Sequence, residues 1–230
     1  MSNNFEYSKI LLNFSLENKI NFIYASSGSV YGNGSKGFIE RRECEYPLNV
    51  YGFSKFAFDN YVRNILPVSE SQVTGLRYFN VYGPQENHKK RMASVAFHFF
   101  KQLMETGKMN IFEGSKSFCR DFIYVLDIVK INLFFYEYKT NGIFNSGTGK
   151  ARSFFEIANI MKNLNGKGEI EEFAFPDDLK GKYQEFTEAD LINLRKSGYN
   201  NEFFSLEEGL SQYFDLLTKN NYVRIFENLS

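Results

Sequence analysis

Tryptophan is absent from this chain, and cysteine, histidine and proline are scarce, with two, two and four among 230 residues. Cys44 and Cys119 are too few to form a disulfide framework, and neither stands at metal-ligand spacing from a second ligand. His88 and His98 have no cysteine or acidic partner at such spacing either, so no metal site is expected. The setting this predicts is reduced and cytoplasmic. Net charge is also missing: 27 basic residues balance 27 acidic ones, and nothing draws the whole chain to nucleic acid or an anionic membrane. No apolar run approaches the ~20 residues of a membrane span. Met1 to Phe5 lack the basic stretch and apolar core of a secretory signal. What the chain has is a core: 43% of its residues are apolar, with 26 Phe and 15 Tyr, which suits one or two globular domains.

Hydrophobic periodicity predicts alternating helices and strands. Glu6 to Asn18 reads as a helix with Ile10, Leu11 and Phe14 on its apolar stripe. Asn21 to Ser26 is a short apolar run suited to a buried parallel strand, and it opens into a Gly-rich loop from Gly28 to Gly37. A helix from Val50 to Leu66, stopped by Pro67, precedes a strand from Gln72 to Arg77 and a loop over Asn80 to Pro84. Further helices are expected at Met92–Thr106, Leu126–Tyr138, Ser153–Asn165, Asp190–Ser197 and Leu206–Leu217. Further strands are expected at Asn110–Phe112, Asp121–Tyr124, Ile143–Ser146 and Glu169–Phe175. Alternation of this kind argues for an α/β architecture with a mainly parallel sheet. Gly147-Thr148-Gly149-Lys150 is a poor phosphate loop, because Phe144 stands where an earlier Gly is needed and Ala151 where a hydroxyl is needed; it reads as a turn. The acid pairs Glu171-Glu172 and Asp177-Asp178 read as solvated.

The most informative stretch is Asn49-Val50-Tyr51-Gly52-Phe53-Ser54-Lys55, with Ser26-Ser27 upstream. Tyr51 and Lys55 are four apart, so a helix places them on one face. An ammonium beside a phenol favours the phenolate, drawing the Tyr below its usual value of about 10, so that it handles protons nearer neutrality. Tyr-x-x-x-Lys alone also describes a surface Tyr and a solvated Lys. The Ser pair at the end of the apolar run favours the chemical reading.

With Arg77-Tyr78-Phe79-Asn80-Val81-Tyr82-Gly83-Pro84 following in order, the chain resembles the extended short-chain dehydrogenase/reductases. Four later stretches narrow the resemblance: His88-Lys89, Met92 to His98, Phe112-Glu113-Gly114-Ser115, and Leu179 to Gln184. Together they are similar to the ADP-L-glycero-D-manno-heptose 6-epimerase family, over nearly the whole chain.

The resemblance implies a Rossmann-like, doubly wound parallel sheet with a smaller α/β substrate-binding domain. Residues 1–81 and 121–149 would form the remaining part of the NADP-binding domain, and 82–120 and 150–230 the substrate-binding domain. The implied reaction inverts C6″ of an ADP-heptose by NADP-dependent oxidation to a ketone and re-reduction on the opposite face. Inversion needs proton-handling groups on both sides of the centre. Tyr51 and Lys89 match the family's two acid/base residues; Lys89 read alone, within Lys89-Lys90-Arg91, is a solvated basic run. Lys55 matches the residue that binds the nicotinamide ribose and tunes the Tyr, and Ser27 the hydroxyl that orients substrate. Asn3, Lys55, Val81 and Lys89 fall on cofactor positions. Ser27, Asn80, His98, Phe112, Glu113, Gly114, Ser115, Arg120 and Tyr183 fall on substrate positions. Guanidinium and amide donors suit a sugar diphosphate. The family is homo-oligomeric and serves the heptose of bacterial lipopolysaccharide core.

Two departures stand out. Lys90 and Arg91 replace a small Gly-x-Ser-like pattern after Lys89, and Arg91 takes the place of a substrate-contacting serine. The family's opening strand, Gly-rich loop and helix, which cradle the cofactor pyrophosphate, have no counterpart in these 230 residues. The strand Asn21 to Ser26 is therefore expected at a sheet edge. Three readings stay open: a separate chain supplies that half, the chain is a silent remnant that binds ADP-sugar or partner subunits, or it is a piece of a longer protein. The expected behaviour of the 230-residue chain alone is very weak NADP binding and no turnover. Stoichiometric NADP retained through its purification would overturn that expectation.

Overall fold

The computed structural model describes residues 1–176 and 184–219. Along the chain, α1 (Tyr7–Glu17), β1 (Phe22–Ser27), α2 (Val50–Ile65), β2 (Val73–Tyr78) and β3 (Asn80–Tyr82) come first. They are followed by α3 (Val95–Thr106), β4 (Lys108–Phe112), β5 (Cys119–Tyr124), α4 (Val125–Tyr138) and β6 (Gly142–Ser146). The last described elements are β7 (Ala151–Ser153), α5 (Phe154–Asn165), β8 (Glu169–Phe173), α6 (Ile192–Lys196) and α7 (Leu206–Lys219).

Strands β1, β2 and β6 form an all-parallel sheet in the order β1-β2-β6. Side chains alternate across it. Tyr24 and Val73 face α1 and α2, where they pack with Leu12, Phe58 and Val62. Leu76 and Phe144 face α4 and α6, meeting Ile131, Phe135, Leu194 and Tyr199. Helices on both faces make the sheet doubly wound, as the family resemblance implied, and its parallel strands agree with the alternation of elements. Among the described residues β1 pairs only with β2, so it is an edge of this sheet.

The chain then leaves this sheet. β3 pairs parallel with β5, β5 antiparallel with β7, and β4 parallel with β8. Helices α3, α5 and α7 close a second core over β4 and β5, built on Phe97, Phe100, Met109, Met161, Leu210 and Phe214. Every side chain in that set is nearly or fully buried, so this body has its own apolar interior.

Some expectations need correction. In α1 the stripe Ile10, Leu11 and Phe14 lies outward, at 65%, 40% and 57% exposed, while Leu12 is the buried contact. The helix is apolar on more than one side, and packing onto α2 selects the side that carries Leu12, with Leu16 and Phe5 beside it. Asn80 to Tyr82, read as loop, is a short strand, because β5 offers it a parallel partner. The third helix begins at Val95 rather than Met92: the Ser94 hydroxyl accepts the Phe97 N–H and caps it there. Pro67 sits within a short 3-10 turn over Leu66–Val68 after α2 ends at Ile65. β7 carries no legible period in three residues and escaped prediction.

Helix α5 is fixed by a reciprocal cap. The Ser153 hydroxyl accepts the Glu156 N–H, and the Glu156 carboxylate accepts the Ser153 N–H at 2.7 Å. Ser153→Ala is expected to lower stability by about 1 kcal/mol in urea unfolding. An unchanged midpoint would show that the cap is dispensable.

Candidate active site

The site grows from the first turn of α2. Asn49 caps the helix, its side-chain oxygen accepting the Gly52 N–H at 2.8 Å. Gly52 is needed for contact rather than conformation: a Cβ there would lie 2.8 Å from the Ser29 carbonyl oxygen, so helix and Ser29 turn touch backbone to backbone. One helical turn after Tyr51, the Lys55 ammonium donates to the Ala25 carbonyl at 2.8 Å and lies 5.9 Å from the Tyr51 ring centre. Burial pulls the Lys55 ammonium below its ordinary pKa, and the Asp59 carboxylate works against that shift. Tyr51 itself is half exposed, so its hydroxyl is open to a ligand.

Ser27 ends β1 and caps the 3-10 turn Gly28–Tyr31, accepting from the Ser29 N–H at 3.2 Å and the Ser29 hydroxyl at 3.0 Å. Lys89 comes from a different element, the 3-10 segment Asn87–Met92, where its ammonium lies 3.5 Å from the Glu86 carboxylate. Next to it, Lys90 has φ 51° and ψ −126°, a backbone region that suits glycine and strains any side-chain-bearing residue.

One open cleft of about 420 Å³ gathers these parts. Ser27, Tyr51, Lys55, Asn80, Val81 and Lys89 all line it. Phe112 and Ser115 line a smaller, largely aromatic cavity of about 110 Å³, which shares Val95 and Phe154 with the cleft. Arg120 is buried behind that shared wall, its guanidinium 5.9 Å from the Phe154 ring centre. Glu113 and Gly114 sit on an exposed turn after β4, and His98 is half-buried on α3. Asn3 lies in a wide helical turn at residues Ser2–Glu6 and is not brought to the cleft. Tyr183 lies outside the described residues. Gly147 to Lys150 is a turn wound on the buried Asp121, which accepts from the Thr148 and Gly149 N–H groups. Among the described residues no group of three or more His, Cys, Asp or Glu could hold a metal ion.

Two features escaped the sequence reading. Glu86 lines the cleft while only 4% exposed, and accepts from the Ser94 N–H and hydroxyl and from the Tyr213 hydroxyl of α7. Burial, and then this carboxylate, push the Tyr213 phenol well above its ordinary pKa. The second is a buried charge network behind Ser26. Asp59 accepts from Tyr24, Ser26 and Arg77, each at 2.9 Å. The Arg77 guanidinium also donates to Tyr31 and to Glu45, which Arg63 pairs in turn. The signal for it was an Arg inside an apolar strand, Val73-Thr74-Gly75-Leu76-Arg77-Tyr78.

This geometry has relatives. Residues 1–147 match the NAD dependent epimerase/dehydratase family. The ADP-L-glycero-D-manno-heptose-6-epimerase of Brachyspira hyodysenteriae is 54% identical over 222 residues, covering 95% of this chain and 70% of that protein. The chain belongs to the NAD dependent epimerase/dehydratase family. Its fold also matches the crystal structure of Helicobacter pylori ADP-L-glycero-D-manno-heptose-6-epimerase with a TM-score of 0.83, at 30% identity, over 94% of this chain and 65% of that one. UDP-glucose 4-epimerase from Thermotoga maritima, solved with UDP-glucose, gives a TM-score of 0.81 at 28% identity, over 95% and 70%. The chain thus spans about two thirds of the length of the solved heptose epimerase it matches.

The strained Lys90 yields a test. Lys90→Gly is expected to raise stability by about 1 kcal/mol in thermal or urea unfolding, the relieved strain exceeding the extra freedom glycine gives the unfolded chain. A loss of stability would show that the Lys90 side chain contributes more than its backbone costs.

Proposed function

We propose that this chain carries the reaction centre of an ADP-L-glycero-D-manno-heptose 6-epimerase, inverting C6″ of an ADP-heptose through NADP-dependent oxidation and re-reduction. The observation that carries this reading is the meeting of Ser27, Tyr51 and Lys55 with Lys89, from a separate element, in one cleft. Similarity to named heptose epimerases supports the substrate class.

The donor set fits a nicotinamide nucleotide. Lys55 presents an ammonium with three donors, one of them taken by Ala25, and Val81 adds an apolar wall beside it. Lys55, Val81 and Lys89 would hold the group at this cleft. When bound, it supplies hydride acceptance and return. The chain's own residues manage protons and position. Tyr51 handles the proton at the C6″ oxygen on one side of the sugar, and Lys89 handles it after inversion moves that oxygen. Ser27 orients the hydroxyl. Asn80, on the cleft wall, serves the sugar diphosphate, a role His98 and Arg120 share on the resemblance to heptose epimerases alone, and the aromatic cavity at Phe112 and Ser115 takes an apolar part of the nucleotide. Arg91, exposed beside Met92, adds a cation able to reach phosphate.

In this reading residues 1–81 and 121–149 belong to the cofactor side, and 82–120 and 150–230 to the substrate side. The enzyme works in the cytoplasm as a homo-oligomer, and its product feeds lipopolysaccharide heptose. NADP is proposed over NAD on the resemblance to heptose epimerases. Among the described residues no helix is long and apolar enough to cross a membrane.

Two measurements test the proposal. Binding of ADP-heptose to this chain, followed by calorimetry against a UDP-hexose control, should favour the ADP-sugar; equal or absent binding sinks the substrate assignment. In an enzyme reconstituted with a dinucleotide-binding half, Tyr51→Phe and Lys89→Met should each lower turnover by about 10²-fold or more. Unchanged turnover in either variant removes that residue from its role.

A further inference from the structure

The cleft residues stand on two elements that do not continue into each other: the end of β1, carrying Ser26-Ser27, and the first two turns of α2, carrying Tyr51 and Lys55. A single side chain spans them. Asp59 lies one helical turn beyond Lys55 and is fully buried. One carboxylate oxygen accepts from Tyr24, and the other accepts from Ser26 and from the Arg77 guanidinium. Its partners thus come from β1 and β2, while its backbone belongs to α2.

We propose that Asp59 is a positioning residue of the reaction centre, which registers Lys55 on α2 against Ser27 on β1. The proposal rests on the reaction-centre reading above. Its physics is local. Ser26 is bonded to Asp59 and is covalently next to Ser27, so the carboxylate fixes where the Ser27 hydroxyl emerges. On the other side, Lys55 donates to the Ala25 carbonyl of the same strand end, which ties helix to strand a second time. The groups facing Lys55 are Tyr51 and Asp59 on α2 and the Ala25 carbonyl and Ser27 on β1, with Glu86 and Lys89 elsewhere on the cleft wall. Burial draws the Lys55 pKa down, and the Asp59 charge opposes that pull. Arg77 in turn compensates Asp59, and Glu45 and Arg63 extend the pairing outward, so the carboxylate is held without leaving an uncompensated charge.

The test uses the full chain, labelled with ¹³C at the lysine ε-carbons, with Lys55 assigned through Lys55→Arg. In Asp59→Asn the Lys55 titration midpoint is expected to fall. The amide resonances of Ser27 to Ser29 are expected to move, while those around Lys89 stay in place. Asp59→Glu, which keeps the charge, is expected to hold the midpoint close to that of the native chain. If Asp59→Asn does not fold because Arg77 is left over-supplied with positive charge, Asp59→Asn/Arg77→Met removes both members, Glu45 keeping Arg63, and should show the same displacement of the Ser27 to Ser29 amides, the carboxylate that Ser26 donates to being absent from both variants. An unmoved Lys55 midpoint in folded Asp59→Asn, or unmoved Ser27 to Ser29 amides in either folded variant, overturns the proposal, as does a disturbance spread evenly over the whole chain. Neither reading needs substrate or turnover. Failure to bind ADP-heptose would remove the proposed substrate and leave the coupling of Asp59 to Lys55 and Ser27 standing, whereas an unmoved Lys55 midpoint in Asp59→Asn would remove the coupling and leave the substrate.

Discussion

The ion pair between Asp59 and Arg77 is the constraint on which the cleft depends. Both side chains are wholly removed from water, and each is partnered several times over: Asp59 by Tyr24, Ser26 and Arg77, and Arg77 by Asp59, Glu45 and Tyr31. Burial alone works against a guanidinium, yet the phenol and the two carboxylates around Arg77 outweigh it and push its pKa well above the ordinary value. Breaking such a pair from one side costs about 3–5 kcal/mol, because the remaining charge stays buried without its partner. A non-directional apolar contact would hold β1, β2 and α2 together but would let them slide. Fork-shaped donors on a carboxylate do not, and the network therefore sets register as well as cohesion.

From that anchor the geometry of the cleft follows in steps. The strand end carrying Ser26-Ser27 is fixed to α2, Gly52 lets the helix meet the Ser29 turn backbone to backbone, and Lys55 reaches back to Ala25. The far contribution, Lys89, is organised by a second buried carboxylate. Glu86 joins the Lys89 turn to the cap of α3 through Ser94 and to α7 through Tyr213. Each half of the site thus hangs on one buried acid supplied with several donors. Polar groups withdrawn from water in this way are tolerable only when fully partnered, and once partnered they specify one arrangement.

Legibility in the sequence was uneven, for physical reasons. The 3.6 period of α2, α4 and α5 and the short apolar runs of β1 and β2 announced those elements nearly to the residue, because each helix buries one face and each strand lies in the parallel sheet. Local chemistry also read well at Gly147 to Lys150, which the sequence marks as a turn, whereas the caps Asn49 and Ser153 emerged only from the structure. Two kinds of feature did not read. Strands as short as β3 and β7 carry too few residues for a period, and exist because β5 lies between them. The buried face of α1 was misassigned because Ile10, Leu11 and Phe14 are as apolar as Leu12, and only contact with α2 decides among them.

The sequence by itself determined the α/β alternation, the spacing that sets Tyr51 and Lys55 on one helical face, and the ordered motifs that carry the resemblance to epimerases. All of these are set by neighbours along the chain or by residue identity. The tertiary structure alone decided that Lys89, 38 positions after Tyr51 in the numbering, shares a cleft with it. It also decided that Phe112 and Ser115 open onto the adjoining aromatic cavity and that Asn3 stays away from the cleft. Most of all, it turned Asp59, Arg77 and Glu86 from charges in a list into partnered buried groups. Burial and partnership are properties of the space between elements, which no single stretch of sequence contains.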